Sequence, residues 1–313
     1  MKAIVINDFG DVNQLVLTDL PKPVLKADEV MVRVKALSIN PVDVKTRAGK
    51  GVAGRIKNEL PIILGWDISG TITEVGAQVT DFKVGDDVFG MVNFPGHGKA
   101  YAEYVAAPAN QLAKKPDNVS FEEAAAATLA ALTAYHALVK EASLQSGQKV
   151  LIHAAAGGVG HFAVQLARHL GAYVIGTSSA INKDFVLSLG ADQHVDYVAQ
   201  PFEDVVSDVD VALDLVGGDI KERSLAVVKP GGKLVSILGM SEELAAQARA
   251  KDVTATAFLV NSNGEDMHQV ATLLENGVLK SYVSQTFPFA NMTEAHRQQE
   301  TGKTRGKLVV TLD

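Results

Sequence analysis

The stretch "LIHAAAGGVGHFAVQLA", residues 151–167, decides how the chain is read. An apolar run ends in a cluster of small residues, and an amphipathic pattern begins behind it. Ala155, Gly157 and Gly160 have the spacing of the GxGxxG fingerprint, with alanine in the first slot. Gly157 lets the backbone approach a pyrophosphate, and Gly160 permits close helix–strand contact. The helix start offers unpaired N–H groups and a positive dipole end. Ala156, Gly157, Gly158, Val159 and Gly160 are therefore expected to hold the phosphates of a dinucleotide.

The surrounding text supports the fingerprint. "KVLIHA" reads as a buried strand. In "VGHFAVQLARHLG", Val159, Phe162, Ala163, Leu166, Ala167 and Leu170 share one helical face, and Gly171 stops the helix. "AYVIGT", "VDVALDLVG", "GKLVSILG" and "TATAFLV" follow as strands with helical segments between most of them. Such alternation predicts a parallel, doubly wound α/β sheet. Ligands of such sheets sit beyond the strand C-termini, which points to Val216, Gly239, Phe258 and Val260 as nicotinamide-side contacts. Each of these has ordinary sheet core as its alternative.

The choice of dinucleotide turns on the residue about 20 positions beyond the glycine loop, where an acid grips an NAD ribose. The segment "GTSSAINKDF" offers Thr177, Ser178, Ser179 and Lys183, with no carboxylate before Asp184. Hydroxyls and an ammonium suit a 2′-phosphate, so NADPH is expected over NADH. Tyr197, in "VDYV", can add a hydrogen bond or serve as a half-buried strand aromatic.

Working outward, residues 1–117 are short apolar runs broken by Gly, Pro, Asn and Asp. The alternation in "VMVRVKAL" indicates a β-rich, partly barrel-like domain. Ser120 and Glu123 have capping-box spacing and predict a helix start. After "DMHQVATLLENG" short strands return, ending in "GKLVVTLD", so the tail is expected to rejoin the first domain. The expected division is 1–117 with 280–313, and 118–279 as the nucleotide domain.

With 313 residues, 47% of them hydrophobic, the chain has ample core-forming material. Its formal charge of −7 disfavours a surface that tracks nucleic-acid phosphates. There is no cysteine, which removes disulfides, thiolate nucleophiles and cysteine-ligated metal sites. The start "MKAIVINDFGD" reads as a strand rather than a secretory signal. No window approaches the roughly 20 apolar residues of a membrane span, and a cytoplasmic location is expected.

Taken together, "SINPVDVKTRAG" (38–49), "GWDISGTITEVG" (65–76), "VGDDVFG", "YAEYV", "LTAYHAL", "VLIHAAAGGVGHFAVQLAR", "LDLVGG" and "TGKTRGKLVV" resemble the medium-chain dehydrogenase/reductase superfamily. Within it the chain is most similar to the zinc-free quinone oxidoreductases, the zeta-crystallin-like group. The resemblance implies a GroES-like catalytic domain, a Rossmann domain and a cofactor in the cleft between them. It also implies hydride transfer from NADPH to quinones or α,β-unsaturated carbonyls, and a homodimer. The combination of Asn40, Asp43 and Lys45 looks closest to the plant-type quinone and alkenal/enone reductases.

Zinc-dependent members carry Gly-His-Glu where this chain has Gly65, Trp66 and Asp67, and an upstream cysteine near the place of Asn40. Neither indole nor carboxamide replaces imidazole or thiolate on zinc, so no metal is expected. Reduction of an already electrophilic acceptor still needs donors for the developing oxyanion. Asn40, Lys45 and Thr133 are the catalytic candidates, with Tyr104 behind them. Thr133 rests on the resemblance alone, and Lys45 has a surface lysine as its alternative.

Asp67 reads as partner to a nearby cation, and Trp66 as packing between domains or as an aromatic wall beside substrate. "RAGKGVAGR" and "NFPGHGKA" have the composition of mobile covers or of plain surface turns, with His97 facing solvent. In "KTRGK", Lys303 or Arg305 can reach a cofactor phosphate, a solvated basic turn being the default. A noncatalytic NADPH-binding sensor or crystallin-like protein is the competing function.

Overall fold

The structure is a computed structural model and describes residues 1–312. Along the chain come β1 (Lys2–Ile6), β2 (Val16–Asp19), β3 (Glu29–Ile39), α1 (Pro41–Arg47), α2 (Ala53–Ile56), β4 (Ile62–Ile63), β5 (Asp67–Val75), β6 (Asp87–Met91), β7 (Tyr104–Pro108), β8 (Leu112–Lys114) and α3 (Phe121–Ala126). Next are α4 (Thr128–Tyr135), β9 (Lys149–Ile152), α5 (Gly160–His169), β10 (Tyr173–Ser178), α6 (Lys183–Ser188), β11 (Gln193–Asp196), β12 (Val209–Asp214), α7 (Ile220–Val227), β13 (Val228–Ser236), α8 (Glu242–Ala250) and β14 (Thr254–Ala257). The chain closes with α9 (Gly264–Glu275), β15 (Val283–Pro288), α10 (Met292–Glu300) and β16 (Lys307–Thr311).

Two compact units result, 1–129 with 261–313, and 130–260. The first holds a seven-stranded sheet in the order β15-β16-β3-β5-β6-β8, with β7 also paired to β3. Within it β15 and β16 run parallel, and the other pairs are antiparallel. A small antiparallel sheet, β2-β1-β4, completes the unit. β16 pairs with β3 from Leu308↔Ile39 to Thr311↔Ala36, which brings the tail back to the first unit. Val30, Val32, Leu37, Ile39, Ile68 and Val310 lie in one core that excludes water. Alternation in β3 is confined to Arg33 and Lys35; its other residues are buried on both faces.

The second unit is a six-stranded, wholly parallel sheet in the order β11-β10-β9-β12-β13-β14. That is the doubly wound order, with its reversal between β9 and β12. The expected fold class stands: a GroES-like β-rich unit and a Rossmann sheet.

The domain limits differ from the expected breaks at 117 and 279. The capping box at Ser120 and Glu123 is formed and starts α3. However, α3 packs on β3, β5 and β16 of the first unit, and Ser69 Oγ donates to Phe121 O at 2.5 Å. α9 likewise packs on β8. Ser262 ties the start of this segment to Phe94, its N–H donating to the Phe94 carbonyl and its hydroxyl accepting from the Phe94 N–H. Helical periodicity identified both segments as helices but carries no information on which sheet covers their apolar faces.

Candidate functional site

The dinucleotide loop leaves β9 at Ile152 and enters α5 at Gly160. Ala155 N–H donates to Thr177 O at 2.9 Å, fixing the loop to the neighbouring strand. A Cβ on Gly160 would lie 2.1 Å from Ala154 O and 2.8 Å from Ala155 Cα, so only glycine fits. At Gly157 the nearest atom is 3.2 Å away, and Gly157, Gly158 and Val159 are partly exposed while Ala156 is buried. The loop thus presents accessible backbone at a helix N-terminus, which fits a pyrophosphate.

The hydroxyls of β10 divide by the pleat of the strand. Thr177 turns inward, its Oγ1 3.2 Å from His153 Nδ1, while His153 Nε2 lies 2.9 Å from Ser224 Oγ. Ser224 itself donates to Ile220 O, so His153 Nε2–H donates to Ser224 and Nδ1 accepts from Thr177. Burial lowers the His153 pKa to about 4, consistent with this neutral ring. Ser178 turns to the opposite face and meets His194. Ser179 is partly exposed, and Lys183 and Tyr197 are exposed.

At the ends of β12 and β13, Asp214 Oδ1 accepts from Val216 N–H (2.9 Å) and Gly217 N–H (2.8 Å). Its Oδ2 accepts from Ser236 Oγ at 2.7 Å. These bonds shape the edge where Val216 and Gly239 stand exposed, Phe258 half-buried and Val260 buried.

In the first unit a buried polar cluster surrounds the start of α1. Asp67 accepts from Ser38 Oγ (2.6 Å), Asn40 Nδ2 (2.7 Å) and Leu129 N–H (3.2 Å). Lys307 donates to Ile39 O at 3.0 Å and to Asn40 Oδ1. Asp43 Oδ2 accepts from Asn40 N–H at 2.6 Å, while Oδ1 has no well-aligned partner although the Tyr101 hydroxyl bears on the same carboxyl. Burial, and then the charge of Asp67, push the Asp43 pKa up to about 8; burial lowers that of Lys307 against the pull of both carboxyls. Beyond Asp43, Arg47 Nη1 donates to His296 Nδ1 at 3.1 Å. His296 Nε2 therefore carries the proton and donates to Tyr101 Oη at 2.9 Å. Burial and Arg47 hold the His296 pKa down to about 3.

The chain is similar to known proteins along its length. Residues 26–117 match the alcohol dehydrogenase GroES-like domain, and 189–310 match the family described as zinc-binding dehydrogenase. The 2-methylene-furan-3-one reductase of Solanum lycopersicum is 37% identical over 99% of this chain and 79% of its own length. The NADPH-dependent alkenal/one oxidoreductase of Arabidopsis thaliana is 35% identical over the same shares. The quinone oxidoreductase from Coxiella burnetii superposes with a TM-score of 0.95 at 39% identity, covering 100% of this chain and 99% of that one. The chain belongs to the zinc-independent quinone oxidoreductase family of the medium-chain dehydrogenases/reductases.

The zinc of the wider superfamily does not fit this oxidoreductase. Trp66, in the histidine position, is 1% exposed, donates Nε1–H to Gly96 O at 2.7 Å and packs edge-to-face on Phe94. The Asn40 amide is engaged by Lys307 and Asp67. Among the described residues, no group of three or more His, Cys, Asp or Glu is arranged to hold a metal.

Of the catalytic candidates, Asn40 is buried in the cluster, Lys45 stands exposed on α1, and Thr133 is buried in α4 of the other unit. The cation beside Asp67 is Lys307, and the link runs through Asn40, whose Oδ1 accepts from Lys307 while its Nδ2 donates to Asp67. Lys307 opens β16 on its buried side. Trp66 is not an exposed aromatic wall; it is core of the first unit. His97 does not face solvent, since Nδ1 lies 2.6 Å from Glu59 Oε2 and Nε2 2.9 Å from Ile63 O. With Trp66 bound to Gly96, Asn93 N–H donating to Gln111 and Phe94 paired with Ser262, the loop "NFPGHGKA" is tied down along its length. Sequence reasoning passed over His153, His194, Asp214 and Lys307. Lys307 alone had a legible signal, as a lysine heading an otherwise apolar strand.

Proposed function

We propose that the oxidoreductase takes NADPH as its reductant and reduces quinones or α,β-unsaturated carbonyl compounds without a metal. The observation that carries the cofactor half is the glycine loop, followed by Ser179, Lys183 and Tyr197 at the accessible end of β10 and β11, where no acid precedes Asp184. The curated relatives named as reductases of a furanone and of alkenals support the substrate half. When bound, the cofactor supplies a hydride from nicotinamide C4.

The residues of the chain then manage charge. Ala156 to Gly160 bind pyrophosphate with backbone N–H groups. Val216, Gly239, Phe258 and Val260 border the nicotinamide side. Hydride arriving at the β-carbon of an enone places negative charge on the carbonyl oxygen, and water delivers a proton to the α-carbon. Lys45 is the donor proposed for that oxygen, because its ammonium is exposed and forms no ion pair within the described residues. Asn40 acts as a positioning residue: its amide is spent on Lys307 and Asp67, and together these hold the first turn of α1. Thr133 is proposed to steady the nicotinamide amide.

No helix of the described residues is long and apolar enough to cross a membrane. Cytoplasmic location and a homodimer complete the proposal. The unpaired outer edge of β14 supports pairing with a second copy, which light scattering tests.

The functional experiment is NADPH oxidation with a simple quinone and with a short enone. Turnover with either is expected, with kcat for the enone reduced in Lys45→Met. Tight NADPH binding without turnover of any acceptor would favour the noncatalytic sensor.

A further inference from the structure

Resting on the NADPH reading above, we propose that His194 is a selectivity residue for the 2′-phosphate: neutral in the free protein, it takes up a proton as NADPH binds. His194 lies on β11, opposite Gly176 of β10 in register. Its Nε2 is 2.8 Å from Ser178 Oγ, and Ser178 Oγ also donates to Ser179 O at 3.2 Å. With the hydroxyl hydrogen committed to that carbonyl, Nε2 carries the ring proton and donates to Ser178. No side chain of the described residues hydrogen-bonds Nδ1, and the Ser178 backbone also bears on the ring.

Three facts make this imidazole more than a strand residue. First, it is only partly buried, and from within β11 its ring reaches Ser178 at the C-terminal end of β10, where the sheet offers its ligand side. Second, Lys183 opens α6 beside it, exposed and without an ion pair among the described residues. Third, Asn182 Nδ2 donates to Ser179 Oγ at 3.3 Å, so hydrogen bonds join Asn182, Ser179, Ser178 and His194, and Lys183 follows Asn182 in the chain.

Burial and the Lys183 charge both lower the His194 pKa, while Asp196, farther along β11, raises it. Asp196 also accepts from Val198 N–H at 3.0 Å. These are the charged groups facing the ring from β10, β11 and α6. Two cationic centres placed side by side are costly when empty. A phosphate dianion between them removes that cost and favours the imidazolium. NADH brings no such charge, so its binding leaves the ring neutral.

The test is calorimetric titration of NADPH and NADH at pH 7 in buffers of low and high ionisation enthalpy, with wild type and His194→Gln. Proton uptake is expected with NADPH and not with NADH, and the variant should lose it. At pH 6 the preference of the variant for NADPH, the Kd of NADH divided by that of NADPH, should fall by about tenfold, the value of one charge-assisted hydrogen bond. As a second readout, the His194 ring proton resonance, assigned by its loss in His194→Gln, should move to the charged position on NADPH addition. NADPH preference without uptake, or uptake that survives in the variant, overturns the role of His194 alone. Equal affinity for the two cofactors would overturn the NADPH reading as well.

Discussion

Replacing Asp43 with Asn probes the buried cluster in a way that gives a signed, pH-dependent result. Two carboxyls, Asp43 and Asp67, and one ammonium, Lys307, are all 3% exposed or less. Asp67 accepts three hydrogen bonds, and Asp43 accepts one well-formed bond with Oδ1 left over. With so few donors, Asp43 is held in its protonated form. The Asp43 pKa stands at about 8 in the folded chain against an ordinary 3.8. Because the folded value is raised, its contribution to stability is complete below about pH 4 and drains away as pH climbs through about 8. The loss approaches about 1.4 kcal/mol per pH unit inside that window.

Asp43→Asn keeps the shape and removes the titration. Relative to this variant, the wild-type first unit should lose up to about 3 kcal/mol between pH 5 and pH 7, discounted where Lys307 adjusts with it. Urea unfolding followed through Trp66 reads this directly, since it is the only tryptophan and lies in the core of that unit. Parallel pH profiles for wild type and variant would refute the assignment of the proton to Asp43.

Lys307→Met should destabilise the same unit by about 3–5 kcal/mol, because it strands a buried carboxylate, and Asp67→Asn in the same chain should recover part of that loss. Equal unfolding midpoints for Lys307→Met and wild type would contradict the cluster's energetics. Gly160→Ala should raise the Kd of NADPH and NADH alike by about tenfold or more, since the added methyl meets immobile backbone. Lys183→Glu should weaken NADPH by about tenfold more than NADH, and equal losses would remove Lys183 from the 2′-phosphate site.

The parts of the molecule governed by local rules were legible in its residues. The capping box at Ser120, the glycine at 160 and the stop at Gly171 follow from backbone geometry that operates over a few residues. The strand–helix alternation was enough for the doubly wound sheet. What escaped depends on partners far apart in sequence. Thr177 reads as a phosphate-binding hydroxyl until His153, 24 residues away, claims it. Asn40 reads as an oxyanion donor until Lys307, 267 residues away, and Asp67 occupy its amide. His97 reads as a solvent-facing loop residue until Glu59 and Ile63 close on its ring. The domain limits shifted for the same reason, since α3 and α9 are covered by a sheet their own sequences do not name.

The most direct measurement of the central claim uses NADPH deuterated at nicotinamide C4 with a short enone in ordinary water. The product should carry one deuterium at the β-carbon and an ordinary hydrogen at the α-carbon, with activity unaffected by chelators. Unlabelled product, label at the carbonyl carbon, or activity abolished by chelation and restored by zinc would contradict metal-free hydride transfer to an activated alkene.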